Sequence, residues 1–589
     1  MFGILINQMK KTEPITLISQ VPAKRNIGSF FVNLAVLFLG VFLFAGSHPN
    51  IPFPLGLPLL AWFSYIPVFW VIRRSGFAAS FFYGAIYGYA SYGVFNYWLS
   101  VFHPLAGIIV NTIYLVYLAL LFPLLKLAGT LYPKYGYILQ WLIWLSYEYL
   151  KTLGFLGYSY GITGYSQWTV LPLIQIASVT GVWGVSALVV FPSAALAAAL
   201  PINWPKDLPK NIIGVHWKKI FDSFFCREFI IFFRQNLIPS CIWGAAVIAC
   251  LIFGFVSPVN YDNAPTAKLA LVQHNTDPWR GGITEYRRNF DILRRLSDEA
   301  IALHPDLDMV VWSETAFVPR IYWHTRYRDD PPSWILVRDL LEYLASQDVP
   351  FIIGNDDARK DPDINPFYDN RIDYNAAMLF ERGVNTELYR KLHLVPFTEH
   401  FPYQRQFPMI HDWLVNADTH FWEKGSDHTV FNVNGIRFST PICFEDTFGY
   451  LSREFTLEGA ELIVNLSNDA WSASLAAQDQ HLAMAVFRSV ENRRAMARST
   501  ASGQTCGIDP NGRIIAMAEP FTEAALVVEL PVMQIISMYT LYGDWLPKIF
   551  IALALILLII GTGSVILKKA KHHRNLPPML DRKEVSPPV

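Results

Sequence analysis

Charge is scarce in this sequence: 16% of its 589 residues are Asp, Glu, Lys or Arg, against roughly a quarter in soluble globular chains. So little charge excludes an ordinary soluble protein of this length. What charge there is cancels, with 47 basic and 47 acidic residues, so no overall field invites nucleic acid. Cysteine is equally sparse. The five thiols, Cys226, Cys241, Cys250, Cys443 and Cys506, form no Cys-x-x-Cys pair and no zinc-like spacing. That excludes a metal or disulfide framework and leaves each cysteine to be weighed alone. No segment recurs at a fixed period, which excludes a repeat architecture.

Long apolar runs take the place of charge. The composition is 53% hydrophobic and the mean hydropathy is +0.28. Runs near 29–47, 54–72, 77–99, 104–128, 135–150, 170–200 and 237–256, and an eighth, "WLPKIFIALALILLIIGTGSVILKK", predict about eight spans, since a helix needs about 20 residues to cross a bilayer. The first run exceeds the roughly 7 to 15 residues of a signal-peptide core and is expected to be retained. Basic residues gather before the first span (Lys10, Lys11, Lys24, Arg25), after the second (Arg73, Arg74), before the seventh and after the eighth (Lys568, Lys569, Lys571). The bias puts both termini in the cytoplasm and the segment after the seventh span on the far side. Three parts follow: a membrane domain over 1–260, a periplasmic domain over 261–535, and a final span with a basic cytoplasmic tail over 536–589.

The middle part alternates strand and helix patterns. "KLALVQHN", "LDMVVWSET", "VPFIIGND", "NAAMLFE", "HTVFNVNGIRFSTPIC", "ELIVNLSND" and "AALVVELP" are strand-like, and Asn434-Gly435 and Asn511-Gly512 are hairpin-turn dipeptides. "TEYRRNFDILRRLSDEAIAL", "WILVRDLLEYLASQ" and "QDQHLAMAVFRSVENRRA" carry helical spacing, the first opening on Thr284 as a candidate cap. An α/β sandwich fits this alternation.

Three strand ends carry groups that chemistry can use: Glu314 in "VVWSETAFVP", Lys391 in "YRKLHLVPFTEHFP" and Cys443 in "STPICFED". Each alone has an ordinary explanation, as a helix cap, a solvated lysine and a small buried hydrophobe. Cys443 is followed by two acids, Glu445 and Asp446, whose charge opposes the thiolate a nucleophile needs. The proton acceptor and the positive charge must come from elsewhere in the chain. Glu314 can serve as general base, and Lys391, with the Phe444 N–H, as oxyanion donor.

Glu, Lys and Cys in this order at strand ends resemble the triad of the nitrilase, or carbon–nitrogen hydrolase, superfamily. "WSETA", "KLHLVPFTEHFP", "PICFED", "NLSNDAW", "QHLAMAVFRSVENRRAMARSTASG" and the membrane-part "GYSYGITGYSQ" together resemble its membrane-embedded branch, the apolipoprotein N-acyltransferases. The resemblance implies a four-layer αββα catalytic domain inserted in a polytopic α-helical protein of the bacterial cytoplasmic (inner) membrane. It implies transfer of an acyl chain from a phospholipid, commonly phosphatidylethanolamine, through a Cys443 thioester to the α-amine of a diacylglyceryl-cysteine apolipoprotein, without metal or cofactor. It implies Glu399 as the family's second glutamate, Glu445 as a matching support, and Trp279 as its functional tryptophan. Phe444 stands where well-known members carry Tyr. Asn468, Asp469 and Trp471 of "NLSNDAW" are placed near the pocket, Asp469 with helix capping as its plainer role.

The same triad would also serve a membrane-tethered amidase using water as acceptor. A transporter with an outer binding domain is disfavoured, since no pair of interrupted, mutually similar span sets is visible. Cys506 reads as a packed thiol. The aromatic stretch 400–422 reads as a lid at the bilayer surface. Glu148 and Lys151 read as a neutralising pair at membrane depth.

Overall fold

A computed structural model describes residues 27–102, 104–202, 226–278, 280–360, 371–416, 421–472 and 474–574. Among these, five helices are long and apolar enough to cross a membrane: Ile27–Ser47, Leu105–Leu131, Val182–Ala199, Leu237–Val256 and Trp545–Lys571. Three of the expected spans take other forms. The run 54–72 breaks into Pro58–Ala61 and Ile66–Arg74, each with a proline in its first turn, where the missing N–H costs nothing. Phe77–Phe95 is diluted by Tyr, Gly and Ser, and Gly136–Leu150 has only 15 residues. The polar dilution has a packing reason. A Cβ on Gly84 or Gly88 would lie 2.2 Å from the carbonyl oxygen of Leu118 or Tyr114, so these glycines let Phe77–Phe95 press backbone to backbone on Leu105–Leu131.

Twelve strands follow among the described residues: β1 (Thr266–Gln273), β2 (Met309–Trp312), β3 (Phe351–Lys360), β4 (Arg371–Glu381), β5 (Val384–Arg390), β6 (Val430–Val433), β7 (Ile436–Ser439), β8 (Leu462–Ser467), β9 (Ala495–Thr500), β10 (Cys506–Ile508), β11 (Ile514–Met517) and β12 (Ala524–Pro531). They form two six-stranded sheets, ordered β12-β1-β2-β3-β4-β5 and β11-β10-β9-β8-β7-β6. The strands β1, β2 and β3 are parallel, as are β7, β8 and β9, and the apolar runs of β1, β2 and β8 match burial on both faces.

Period-two alternation divides that burial. Leu269, Leu271 and Val311 share one core with Val464 and Met496 of the facing sheet. Val272, Val310 and Trp312 turn outward against Leu293 and Leu340 of the helices Gly282–Leu303 and Pro331–Ala345. Helices Gly449–Leu457 and Leu475–Asn492 cover the second sheet, completing the αββα sandwich. Asn434-Gly435 joins β6 to β7 with both residues at positive φ, +52° and +88°, as a type I′ turn requires. The Thr284 expectation fails. The helix starts at Gly282 with Gly281 as N-cap and no side-chain cap bond, because the left-handed glycine pair has already turned the chain.

Helix Leu475–Asn492 also ties the sandwich to the membrane part. Trp98 Nε1 donates to Gln480 Oε1 at 3.1 Å, and Tyr97 and Ser474 hydroxyls lie 3.0 Å apart. At its far end the Val182 N–H donates to Glu491 Oε1 at 3.0 Å. Glu148 and Lys151 each turn to partners of their own. Glu148 accepts from the Thr163 backbone N–H and hydroxyl, while Lys151 donates to the Tyr92 hydroxyl and the Tyr160 carbonyl, both at 2.7 Å.

Candidate active site

Glu314 emerges from β2 two residues past the strand end and is 6% exposed. The turn that carries it passes directly over β3, where a Cβ on Gly354 would lie 2.5 Å from Ser313 O and Thr315 N. Only glycine leaves that room. Thr315, β-branched, sits at φ +49°, an uncommon conformation that marks a constrained turn. The carboxylate is fixed on both oxygens. Asn375 Nδ2 donates to Oε1 at 2.8 Å, and the Asn468 backbone N–H donates to Oε2 at 2.9 Å.

Lys391 follows β5 and has no exposed surface. Its ammonium donates to Glu399 Oε1 at 2.9 Å and lies 3.3 Å from Glu314 Oε1. Burial disfavours the charged amine, but Glu314 and then Glu399 outweigh it and hold Lys391 above its ordinary value. Glu399 is itself pushed up by burial, with Lys391 pulling against that. Its second oxygen accepts from the Val395 N–H at 2.8 Å, closing the loop after β5 into a ring around the ammonium. One buried cation between two carboxylates is a geometry that keeps the amine charged.

Cys443 begins a 3₁₀ turn, Cys443–Thr447, with φ +50°. A cysteine has no preference for that region, and holding it there costs on the order of 1–3 kcal/mol. The clasp that pays it is Glu445. Wholly buried, its Oε1 accepts from the N–H groups of Leu392 and His393 at 2.7 and 2.9 Å, and its Oε2 from Ile442 N–H at 2.7 Å. The Tyr389 hydroxyl reaches both oxygens at 2.8 and 2.9 Å. The residue two after the thiol therefore binds the backbone immediately after Lys391 and aligns the two strand ends. Burial lifts the Glu445 carboxyl to about 7 against the pull of these donors. Cys443 is partly exposed; burial raises its thiol well above the ordinary value, Glu314 adds to that, and Lys391 opposes it.

Glu314, Lys391, Cys443, Glu399, Glu445 and Asn468 thus converge on one edge of the sandwich. Phe444 is buried and packs edge-to-face on Phe448 at 5.0 Å. Among the described residues the Asp469 carboxylate turns to side chains, accepting from Ser467 Oγ and from Arg498 Nη1, both at 3.0 Å, and Arg498, reinforced by His481, outweighs burial to hold it well below the usual carboxylate range. The backbone of Trp471 lies in the short turn Ala470–Ser472, while Trp279 lies outside the described residues. Sequence reasoning missed Asn375, Tyr389 and Gly354. Asn375 and Gly354 were visible as polar and achiral interruptions of apolar strands, whereas Tyr389 carries no such mark.

The aromatic stretch after Glu399 divides. Tyr403, Phe407, Met409 and Trp413 are exposed, while Trp422 is buried with Nε1 donating to Asp356 Oδ1 at 3.0 Å. Residues 417–420 of the stretch lie outside the described set. Among the described residues no group of His, Cys, Asp and Glu side chains is placed to hold a metal ion.

The αββα sandwich is a carbon–nitrogen hydrolase domain: residues 268–539 match that family. Residues 39–195 match the apolipoprotein N-acyltransferase N-terminal domain. Apolipoprotein N-acyltransferase 1 of Treponema pallidum is 48% identical over 531 residues, covering 89% of this chain and 94% of the relative. Its namesake in Treponema denticola is 42% identical over 553 residues, covering 92% and 97%. The chain belongs to the apolipoprotein N-acyltransferase family and is a bacterial membrane protein.

Proposed function

We propose that Cys443 carries an acyl chain from a phospholipid to the N-terminal amine of diacylglyceryl-cysteine lipoproteins. Family membership makes the chain an acyltransferase that N-acylates apolipoproteins; the proposal adds the route and the residues. The observation that carries it is the Glu445 clasp, which sets the thiol turn against the backbone beside a fully buried Lys391.

In this route Glu314 takes the Cys443 proton, and the thiolate attacks the sn-1 ester carbonyl. The Lys391 ammonium and the Phe444 N–H, in the first turn where helix geometry leaves donors open, receive the oxyanion. Collapse breaks the ester C–O bond, and Glu314 returns its proton to the departing lysophospholipid hydroxyl. The neutral α-amine then attacks the thioester, Glu314 accepts its proton, and the expelled thiolate recovers that proton. Two moderate steps replace one difficult ester-to-amide exchange. Glu399 acts through Lys391, and Trp279 and Trp471 are assigned to substrate contact. The domain over 261–535 is assigned to the periplasm, with 1–260 and 536–589 holding it in the inner membrane and gathering both lipid-anchored substrates. Support comes from the basic bias of the cytoplasmic loops and from the exposed apolar side chains of Pro408–Asn416. Phosphatidylethanolamine is the assigned donor.

Purified protein given phospholipid alone should release one lysophospholipid per site as a burst and retain a hydroxylamine-sensitive adduct, absent in Cys443→Ala. A lipidated peptide with a free N-terminal amine should discharge it. Rapid discharge by water without peptide would favour the amidase, and an adduct that survives loss of Cys443 would refute the route.

A further inference from the structure

The turn that carries Cys443 is held from two sides, and the second side leads into the membrane part. It stands at φ +50°, a conformation that persists only where its surroundings over-determine it. Glu445 ties it to the backbone after Lys391. Asp446, wholly buried one residue later, ties it to helix Leu475–Asn492: its Oδ1 lies 2.5 Å from His481 Nε2, and its Oδ2 accepts from Arg498 Nε at 3.3 Å. Arg498 Nη2 stands 2.8 Å from the other ring nitrogen, Nδ1. A guanidinium can only donate, so the ring proton that Asp446 accepts is on Nε2.

The residue before His481 reaches the other way. Gln480 Oε1 accepts from Trp98 Nε1 at 3.1 Å, and Gln480 Nε2 donates to the carbonyls of Pro49 and Phe95 at 2.9 and 3.2 Å. Successive residues of a helix point about 100° apart, so one turn of this helix grips the membrane part with Gln480 and the thiol-bearing turn with His481. Tyr160, also of the membrane part, packs on Trp98 with ring centroids 5.5 Å apart and sets its ring 6.5 Å from that of His481. Gln480 and His481 are both buried, where a hydrogen bond left unmade costs more than it does in water.

We propose that His481 is a positioning residue: through Asp446 it holds the Cys443 turn to a helix that Gln480 fixes on the membrane part, so the seating of the sandwich on the membrane part sets where the thiol stands. The inference rests on the reading of Cys443 as nucleophile. His481 neither gives up a proton nor forms a bond to substrate in this role. Its consequence is kinetic, because misplacing a reacting atom by about 1 Å can cost about a hundredfold in rate. Contacts at Gln480, which touches neither Cys443 nor its proposed partners, act on the same step through the same pair.

The test uses full-length protein with phospholipid vesicles and compares two amides at one position. His481→Gln places an amide N–H where Nε2 stands, whereas His481→Asn places one where Nδ1 stands and falls short of Asp446. The lysophospholipid burst should slow about a hundredfold in His481→Asn and stay within about fivefold of the unmodified rate in His481→Gln, with the half-saturating phospholipid concentration unchanged in both. Loss of a packed ring alone would slow the two variants alike. Gln480→Leu should slow the burst about tenfold, and adding it to His481→Asn should slow it no further. Should His481→Asn not accumulate, Trp98→Phe, which removes the N–H given to Gln480, decides in its place: a slower burst at unchanged half-saturation supports the role, and a normal burst overturns it. Equal bursts from the two amide variants, or losses that multiply in the double variant, would overturn the positioning role while a Cys443 adduct in the unmodified protein upheld the nucleophile. Absence of that adduct in the unmodified protein would instead strike the nucleophile assignment and this inference with it.

Discussion

Cys443 and Cys506 belong to the same sheet and meet nearly the same electrostatics. Burial raises both thiols, Cys506 to about 12. Each has a cation pulling the other way, Lys391 or Arg498, and each faces two carboxylates, Glu314 and Asp469 in one case, Asp446 and Asp469 in the other. What differs is backbone and access. Cys506 lies in β10, paired on both sides with β9 and β11 and without exposed surface. Cys443 lies past the end of β7, lifted into a left-handed turn and partly open. The pair teaches that a neighbouring cation does not make a nucleophile. In the proposed route a strand end, a strained turn and Glu314 on another strand make the difference.

The sharpest way to break that contrast is to take the cation from the thiol proposed to react. Lys391→Met keeps the apolar stem and removes the ammonium, so it should slow adduct formation by about a hundredfold to a thousandfold. It also leaves Glu314 and Glu399 facing each other without a cation, so a folded control is needed: the near-ultraviolet circular dichroism should persist. Near-normal turnover with an intact spectrum would show that the contrast between the thiols does not depend on Lys391.

A smaller effect is expected from the clasp that lifts Cys443 out of its strand. Glu445→Gln keeps the acceptor oxygen toward one set of N–H groups and turns an amide N–H toward the other, so turnover should fall about tenfold. The pH dependence carries the sign. Burial raises the folded carboxyl from 4.5 to about 7, so its contribution to stability is full below about pH 4.5 and is lost as pH rises through 7. The shift corresponds to about 3 kcal/mol. Between pH 4.5 and 7.5 the unmodified protein should therefore lose thermal stability more steeply than the variant. Parallel stability curves would show that Glu445 does not titrate in this window.

The contrast also marks what could be read in the sequence. Strands β1, β2, β3, β4 and β8 were legible because parallel and central strands are buried on both faces and read as apolar runs. Strand β5, "VNTELYR", was not, because an edge strand with three exposed residues carries no apolar run. Nor was β9, where Arg498 interrupts "AMARST" while wholly buried against Asp446 and Asp469. The break in 54–72 reflects local turns that hydropathy does not encode. Glu314, Lys391 and Cys443 were legible as ionisable groups at strand ends, with the resemblance to guide their pairing into the proposed triad. The clasp role of Glu445 was not, since it depends on donors from Leu392 and His393 some fifty positions away, brought near only by the two sheets closing on each other. Glu148 and Lys151 were read as a neutralising pair, and each also takes a partner from the segment 158–163, Thr163 for Glu148 and the Tyr160 carbonyl for Lys151, whose path only the fold reveals.

The smallest effect is expected at the silent thiol, and it completes the contrast. Cys506→Ala removes one sulfur atom from a packed site, at a cost of about 1 kcal/mol in stability, and takes nothing from Glu314, Lys391 or the Cys443 turn. Turnover should stay within about twofold, since changes of that size fall below what the loss of any group at the reacting centre produces. Iodoacetamide should label Cys443 in the native protein and reach Cys506 only after denaturation, because β10 opens only when the sheet does. Native labelling of Cys506 at a rate comparable to Cys443 would mean that access does not separate the two thiols. The distinction would then have to rest on Glu314 alone, the proposed base, whose charge bears on the Cys443 thiol and is absent from the surroundings that shift Cys506.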